Sequence, residues 1–505
     1  MPRHLPSLWS GLGGHDFFFY GPLPFWIAAV ISVVSGGADL GMQLALLGAV
    51  LLLLASWTCY LFLRALFPPW PAMLGAVGYA LLPYHLWIDW FYRQALGEFA
   101  AYIFLPLIAL GFEHLRQGRP GGPILAAGVA GMGLCHLPSV LLSAHLFAIL
   151  TILLLCGAIP RDITRISFAL RAAAWAVLGG LLSAFYWLPA LTLIDTVSSA
   201  QLYTPYFQAD AWLLGPGVAQ PSSSMVQILL TGFGATLPVL LASLIVVPRQ
   251  FRFWIVVPVI VVIIANMAFT APIWRHWVIG QVQFPWRTMI FVDLSLAVAV
   301  AALLQRAIQS RHTWRIALVT LLFAYPVTQF ASFLVLTKDS QRLSPAALHR
   351  AGAIEYLSPE MLAVLQRRLE LSTINHRNQN DVAAEIAEIA ASHPVQEIRD
   401  KLAVGPRQIS FSAPPGDNQI MVPLQYWEFW SAKDSNGMLL EVKPNMRFGT
   451  MDVVAPVGGF DGSKITLELP RQPSERQGIA LSLAGLVIVL IYLTRMWPSA
   501  RRRRA

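Results

Sequence analysis

Apolar runs of membrane-spanning length recur along this chain, separated by short polar connections. The runs read as spans cover residues 43–65, 70–87, 96–113, 122–136, 137–157, 168–191, 226–247, 252–271, 287–305, 314–337 and 477–496. A hydrocarbon interior offers no water to backbone N–H and C=O groups, so a chain patterned this way must satisfy them within each segment, as helices. The expected architecture is an α-helical polytopic membrane protein of about 11 spans.

Composition agrees. The chain is 56% hydrophobic and 12% charged, about half the usual charged fraction of roughly 25%. Mean hydropathy is +0.60. The formal charge of +9 does not point to nucleic acid, because no Lys precedes Lys338 and the arginines sit mostly between apolar runs. That placement sets orientation in a bilayer. Cys59, Cys135 and Cys156 lie in or at the ends of apolar runs, with no metal-ligand spacing and no disulfide framework.

One set of connections carries Arg64, Arg116, Arg119, Arg161, Arg165, Arg171, Arg249, Arg252, Arg306, Arg311 and Arg315, and the tail adds Arg495 and Arg501 to Arg504. These are expected on the cytoplasmic side. The alternate connections hold only Arg93, Arg275 and Arg287 and are expected outside. Arg-rich loops on both sides of 122–157 require two short helices turning near His136-Leu137-Pro138. The same parity places the N-terminus outside, which calls for a further span ahead of Met1, the favoured reading, unless 22–36 itself crosses and the tail before it is cytoplasmic. The 22–36 run, short and flanked by Pro and Gly, reads as an interfacial or re-entrant helix.

The expected division is therefore an outer loop at 1–42, a transmembrane core at 43–337, an outer soluble domain at 338–476, and a final span with a basic tail at 477–505. In the soluble insert, residues 381–402 show helical spacing. Gln408 to Ser412, Ile420 to Leu424, Met438 to Val442 and Ile465 to Leu469 alternate as strands do. Asn436-Gly437 marks a hairpin. A small β-sandwich, with some helix, is expected before the last span. Its Tyr426-Trp427-Glu428-Phe429-Trp430 run suits either a hydrophobic core or stacking on a sugar.

Polar groups of the membrane half gather at the expected outer ends of spans: Asp16, Asp89, Arg93, Glu98, His136, Asp195, Asp210, Arg275 and Arg287. An outward-open cleft is the expectation. Two stretches stand out, Arg93-Gln94-Ala95-Leu96-Gly97-Glu98 and Gln283-Phe284-Pro285-Trp286-Arg287. A guanidinium there can hold a lipid phosphate bidentately, or can pair with Asp89 or Glu98. Asp16, in an aromatic loop after Gly13-Gly14, can serve as a general base or simply as a turn residue. His136 can act chemically or close a helical hairpin.

The stretches Pro2-Arg3-His4-Leu5-Pro6-Ser7-Leu8-Trp9, Gly11-Leu12-Gly13-Gly14 and Phe19-Tyr20-Gly21-Pro22-Leu23-Pro24-Phe25-Trp26 resemble the first outer loop of a bacterial family. These are the membrane proteins called 6-pyruvoyl-tetrahydropterin synthase-related. Despite that label they are similar to polyprenyl-phosphate-dependent glycosyltransferases of the GT-C fold. The Arg93 to Glu98 and Gln283 to Arg287 motifs, and an outer sandwich before a final span, are similar too.

The resemblance implies an inverting sugar transfer from a polyprenyl-phosphate-linked donor to a glycan, lipid or protein acceptor at the outer face of the bacterial cytoplasmic membrane. Asp16 would be the catalytic acid or base, and Arg93, Glu98, His136, Gln283 and Arg287 would bind substrate. In such proteins a span and an Asp precede this loop, and this sequence has neither ahead of Pro2. No cofactor is indicated, although a divalent metal bridging Asp16 and a phosphate is chemically compatible. The competing functions are a transporter or flippase for lipid-linked sugar and a non-catalytic subunit of a polysaccharide assembly system.

Overall fold

The computed structural model describes residues 3–5, 8–82, 84–160, 164–203, 207–215, 224–309, 354–371, 374, 379–392, 403–404 and 407–502. The expected span at 314–337 lies outside them. The chain forms two compact units, one of residues 21–184, 205–340 and 479–505, the other of residues 1–20, 185–204 and 341–478. By contacts, the first twenty residues group with residues 341–478, and residues 21–42 group with the helical unit.

The first unit is helical. Six helices of the described residues are long and apolar enough to cross a membrane: Leu40–Arg64, Leu96–Arg116, Leu137–Leu155, Arg165–Leu182, Pro285–Gln309 and Pro473–Thr494. Leu23–Val34, Gly122–Cys135 and Thr236–Val246 are apolar but shorter. This is a polytopic membrane protein, and among the described residues six helices reach full spanning length. Leu40–Arg64, at 25 residues, extends about 37 Å at 1.5 Å per residue. Its first turn is closed by Asp39, whose carboxylate accepts from Met42 N at 3.1 Å.

Several expected spans are broken, for local reasons. The run at 70–87 ends as a helix at Ala80, and Tyr84–Tyr92 follows as a π-helical stretch. Proline at 83 supplies no N–H to continue an α-helical ladder. The helix Leu96–Arg116 keeps its spanning length but is interrupted at 102–104, between Leu96–Ala101 and Leu105–Arg116, with Pro106 in the first turn of the second part. The run at 168–191 is divided into Arg165–Leu182 and Ala184–Thr192 at Ser183.

Close helix packing rests on small residues. A Cβ on Gly128 would stand 2.8 Å from Ile108 N, and one on Gly111 would stand 2.5 Å from Leu125 N. Helices Leu105–Arg116 and Gly122–Cys135 therefore meet nearly backbone to backbone. Pro285–Gln309 is the most buried of the six long helices and Pro473–Thr494 the least.

The second unit contains an antiparallel sheet of β1 (Ala403–Val404), β2 (Gln408–Ser412), β3 (Gln419–Gln425), β4 (Ser431–Lys433), β5 (Leu439–Asn445), β6 (Thr450–Val454) and β7 (Lys464–Glu468). Strand order is β1-β2-β7-β4-β5-β6-β3. The expected sandwich is instead one continuous sheet. Leu439 and Leu440 of β5 pair with β4, whereas Glu441 to Asn445 pair with β6. The two halves nevertheless share a core, with Ile409, Phe411, Ile465 and Leu467 beside Val422, Leu424, Met451 and Val453. The Asp434 carboxylate accepts from Asn436 N and Met438 N at 2.9 and 2.8 Å, and Gly437 takes φ +82° to complete the hairpin turn. The expected helix at 381–402 is Gln379–Ala391, and its remainder lies outside the described residues.

Residues 3–20 are built into this unit. Leu5 and Gly14 exchange two backbone hydrogen bonds of 3.0 Å. Gln425 N donates to Leu12 O, and the Gln425 side chain donates to Gly13 O, both at 2.7 Å. Trp9 and Leu12 are fully buried with Met361, Leu365, Val382 and Ile386 of helices Pro359–Arg368 and Gln379–Ala391. The aromatic run is core: Trp427 is buried against Phe18, His15 and Phe429, with ring centroids 4.9, 4.2 and 4.9 Å away.

Candidate functional site: two guanidinium groups on one carboxylate

The helical unit brings five of the sequence-nominated residues together. Glu98, in the first turn of Leu96–Ala101, is 2% exposed. Its Oε1 accepts from the Tyr84 hydroxyl at 2.5 Å. Its Oε2 accepts from Arg93 Nη1 at 2.8 Å and from Arg287 Nε at 3.1 Å. Arg93 Nη1 also donates to Asp89 Oδ1 at 2.7 Å. Arg287 Nη1 donates to Val282 O at 2.6 Å and reaches Gln283 Oε1 at 3.4 Å.

Local structure explains the convergence. The π-helical stretch Tyr84–Tyr92 sets Tyr84 and Asp89 facing inward, both buried. Gln94 then takes φ +53°, a left-handed kink that ends this stretch and starts the helix bearing Glu98. Gln283 likewise takes φ +69° just before Pro285 opens the short 3-10 turn Pro285–Thr288. Aromatic rings flank the cations. The Arg93 guanidinium lies 4.5 Å from the Trp286 ring centroid, and that of Arg287 lies 5.0 Å from Phe284.

Both arginines are held yet not exhausted. Their side chains are 14% and 11% exposed, and among the described residues Nη2 of each meets no acceptor. Two fixed, planar cations with N–H groups left over can take an oxyanion such as a phosphate. The pairing of Arg93 with both Asp89 and Glu98 matches the alternative reading of those residues, and it is compatible with binding.

His136 sits between helices Gly122–Cys135 and Leu137–Leu155, closing the expected hairpin, with Nδ1 2.8 Å from Ser139 Oγ. It is within electrostatic reach of Arg287 and Glu98. Asp16 is different: it starts the short turn Asp16–Phe18, is buried, and belongs to the sheet unit. Its backbone carbonyl accepts from Phe19 N and Tyr20 N at 2.9 Å. Asp16 therefore lies in one unit and the arginines in the other. Arg275 and Asp210 pair with each other at 2.6 Å at an exposed position.

Three groups escaped sequence reading. Arg116, taken as a loop cation, is 4% exposed and is tied to fully buried Glu113, Nε to Oε2 at 3.0 Å. Trp254 Nε1 donates to that same carboxylate at 3.1 Å. Asp293, a single acid inside an apolar run, accepts from the Tyr102 hydroxyl at 2.9 Å, and the Tyr102 ring stacks on His85 at 3.7 Å. A lone carboxylate in a spanning helix was the available signal. Among the described residues no group of three or more His, Cys, Asp or Glu comes together as a metal site.

No protein-family model matches this chain, and no curated protein does either. Among solved structures it is similar to the mycobacterial arabinofuranosyltransferase AftD, at 17% identity over 73% of this chain, with a TM-score of 0.42. The match spans 25% of that structure's length. At this level of likeness, activity rests on the residues themselves.

Proposed function

We propose that this chain is a membrane glycosyltransferase with a GT-C-like fold, which moves a sugar from a polyprenyl-phosphate carrier to an acceptor at the outer face of the bacterial cytoplasmic membrane. One observation carries the reading: Arg93 and Arg287 are fixed through Glu98, and each retains an Nη2 group with no acceptor among the described residues. In the inverting transfer the acceptor oxygen attacks the anomeric carbon, and the bond from that carbon to the phosphate oxygen breaks. The electron pair leaves with the phosphate, whose growing charge faces the two guanidinium groups. Such electrostatic stabilisation is often the largest catalytic contribution. A carboxylate must take the acceptor proton, and Asp16 is the loop acid proposed for it.

The test uses the full chain in lipid nanodiscs with polyprenyl-phosphoryl sugars, measuring release of polyprenyl phosphate. Arg287→Ala and Arg93→Ala are each expected to lower turnover by about 10²–10³-fold, and Asp16→Asn to abolish it while the protein stays folded and inserted. Transfer unchanged in the arginine variants overturns the site assignment. A folded wild-type protein that neither binds nor turns over such lipids overturns the function.

A further inference from the structure

The two carboxylates beside the arginines are not equivalent. Both Glu98 oxygens are engaged: Tyr84 donates to Oε1, and Arg93 and Arg287 donate to Oε2. It has the connections of an anchor. Asp89 is fully buried, and only its Oδ1 is engaged, by Arg93. Oδ2 meets no donor among the described residues, and neither does Trp286 Nε1 meet an acceptor, although the Trp286 ring lies under the same Arg93 guanidinium. A buried acceptor without a donor costs about 1–3 kcal/mol, more when it is charged, so such atoms call for an occupant.

We infer that Asp89 Oδ2 and Trp286 Nε1 form a hydroxyl subsite that reads the sugar of the donor lipid, next to the phosphate held by Arg93 and Arg287. A carboxylate oxygen accepts from a hydroxyl and an indole N–H donates to one, so the pair suits the two roles of a sugar hydroxyl. Proximity supports the sugar over other groups. Asp89 Oδ1 is bonded to Arg93 itself, and in a lipid-phosphate sugar the hydroxyl neighbouring the anomeric carbon stands only a few ångströms from the phosphate oxygens. The binary partition is then clear: guanidinium groups for the phosphate, Asp89 and Trp286 for the sugar. This rests on the proposed function and adds to it what distinguishes a loaded carrier from an empty one.

The test is equilibrium binding to the full chain in nanodiscs, comparing undecaprenyl phosphate with a panel of undecaprenyl-phosphoryl hexoses and pentoses. Wild type is expected to prefer at least one sugar-bearing lipid about tenfold. Asp89→Asn keeps an oxygen for Arg93 but replaces the acceptor with a donor, and Trp286→Phe keeps a ring under Arg93 but removes Nε1. Each is expected to erase most of that preference while undecaprenyl phosphate still binds. Variants that retain the wild-type preference, or that lose both lipids equally, overturn the subsite and leave the proposed function standing. Wild type binding neither lipid overturns both.

Discussion

Arg93 and Arg287, 194 positions apart by their numbering, donate to the same atom, Glu98 Oε2, at 2.8 and 3.1 Å. Removing the shared anion leaves two neighbouring cations facing each other in a largely dry site. Glu98→Gln is therefore expected to destabilise the protein by about 3–5 kcal/mol, seen as a lower thermal midpoint in detergent. Combining it with Arg287→Gln should cost less than the two single changes together, and strict additivity would argue against a coupled cluster.

His4 and His15 are fully buried with ring centroids 5.4 Å apart. Burial pushes His4 down to about 4, and burial with the His4 charge nearby pushes His15 well below the usual imidazole range. The unfolded chain binds protons near pH 6.5 while the folded one resists them. Stability contributed by the neutral rings is then complete above about pH 6.5 and falls progressively toward pH 4. Thermal midpoints measured across that window should drop on acidification, and a His4→Phe, His15→Phe double variant should show a shallower drop.

Gly13 occupies φ +77°, and a Cβ there would lie 2.6 Å from His4 Nε2. Gly13→Ala meets both backbone strain and a clash, with an expected loss of about 1–3 kcal/mol. Limited proteolysis within residues 3–20 should rise in step. A midpoint equal to wild type would show that the segment is not held as described.

Trp427 separates core from carbohydrate stacking. Its ring is buried and its Nε1 donates to Thr196 Oγ1 at 3.1 Å. Trp427→Ala should lower stability by about 3–5 kcal/mol, independent of any added sugar. Sugar-dependent protection lost only in this variant would restore the stacking role.

Much of this was legible in residue order. The apolar runs gave the helices, and β2, β3, β5 and β7 followed from alternation. Arg93, Glu98, Gln283 and Arg287 were recognisable as polar groups in apolar surroundings. What stayed hidden depends on tertiary contact. Strands β1 and β4 have two and three residues, too short to show a period. Arg116 reads as a loop cation because Glu113, its partner one turn earlier, is outweighed by apolar neighbours. The packing of the Asp16 loop was not visible because Gln425 and Trp427, which hold Gly13 and His15, lie some four hundred residues further on.

The bond from the Gln425 side chain to Gly13 O spans 412 positions. At ribosomal speeds of about 5–20 residues per second, roughly 20–80 s separate the synthesis of its two ends. During that interval the helical segments emerge and enter the bilayer, while Trp9, Leu12 and Phe18 have no sheet to bury them. Residues 3–20 therefore wait with apolar side chains unburied until strand Gln419–Gln425 has been made, and only then can they be captured.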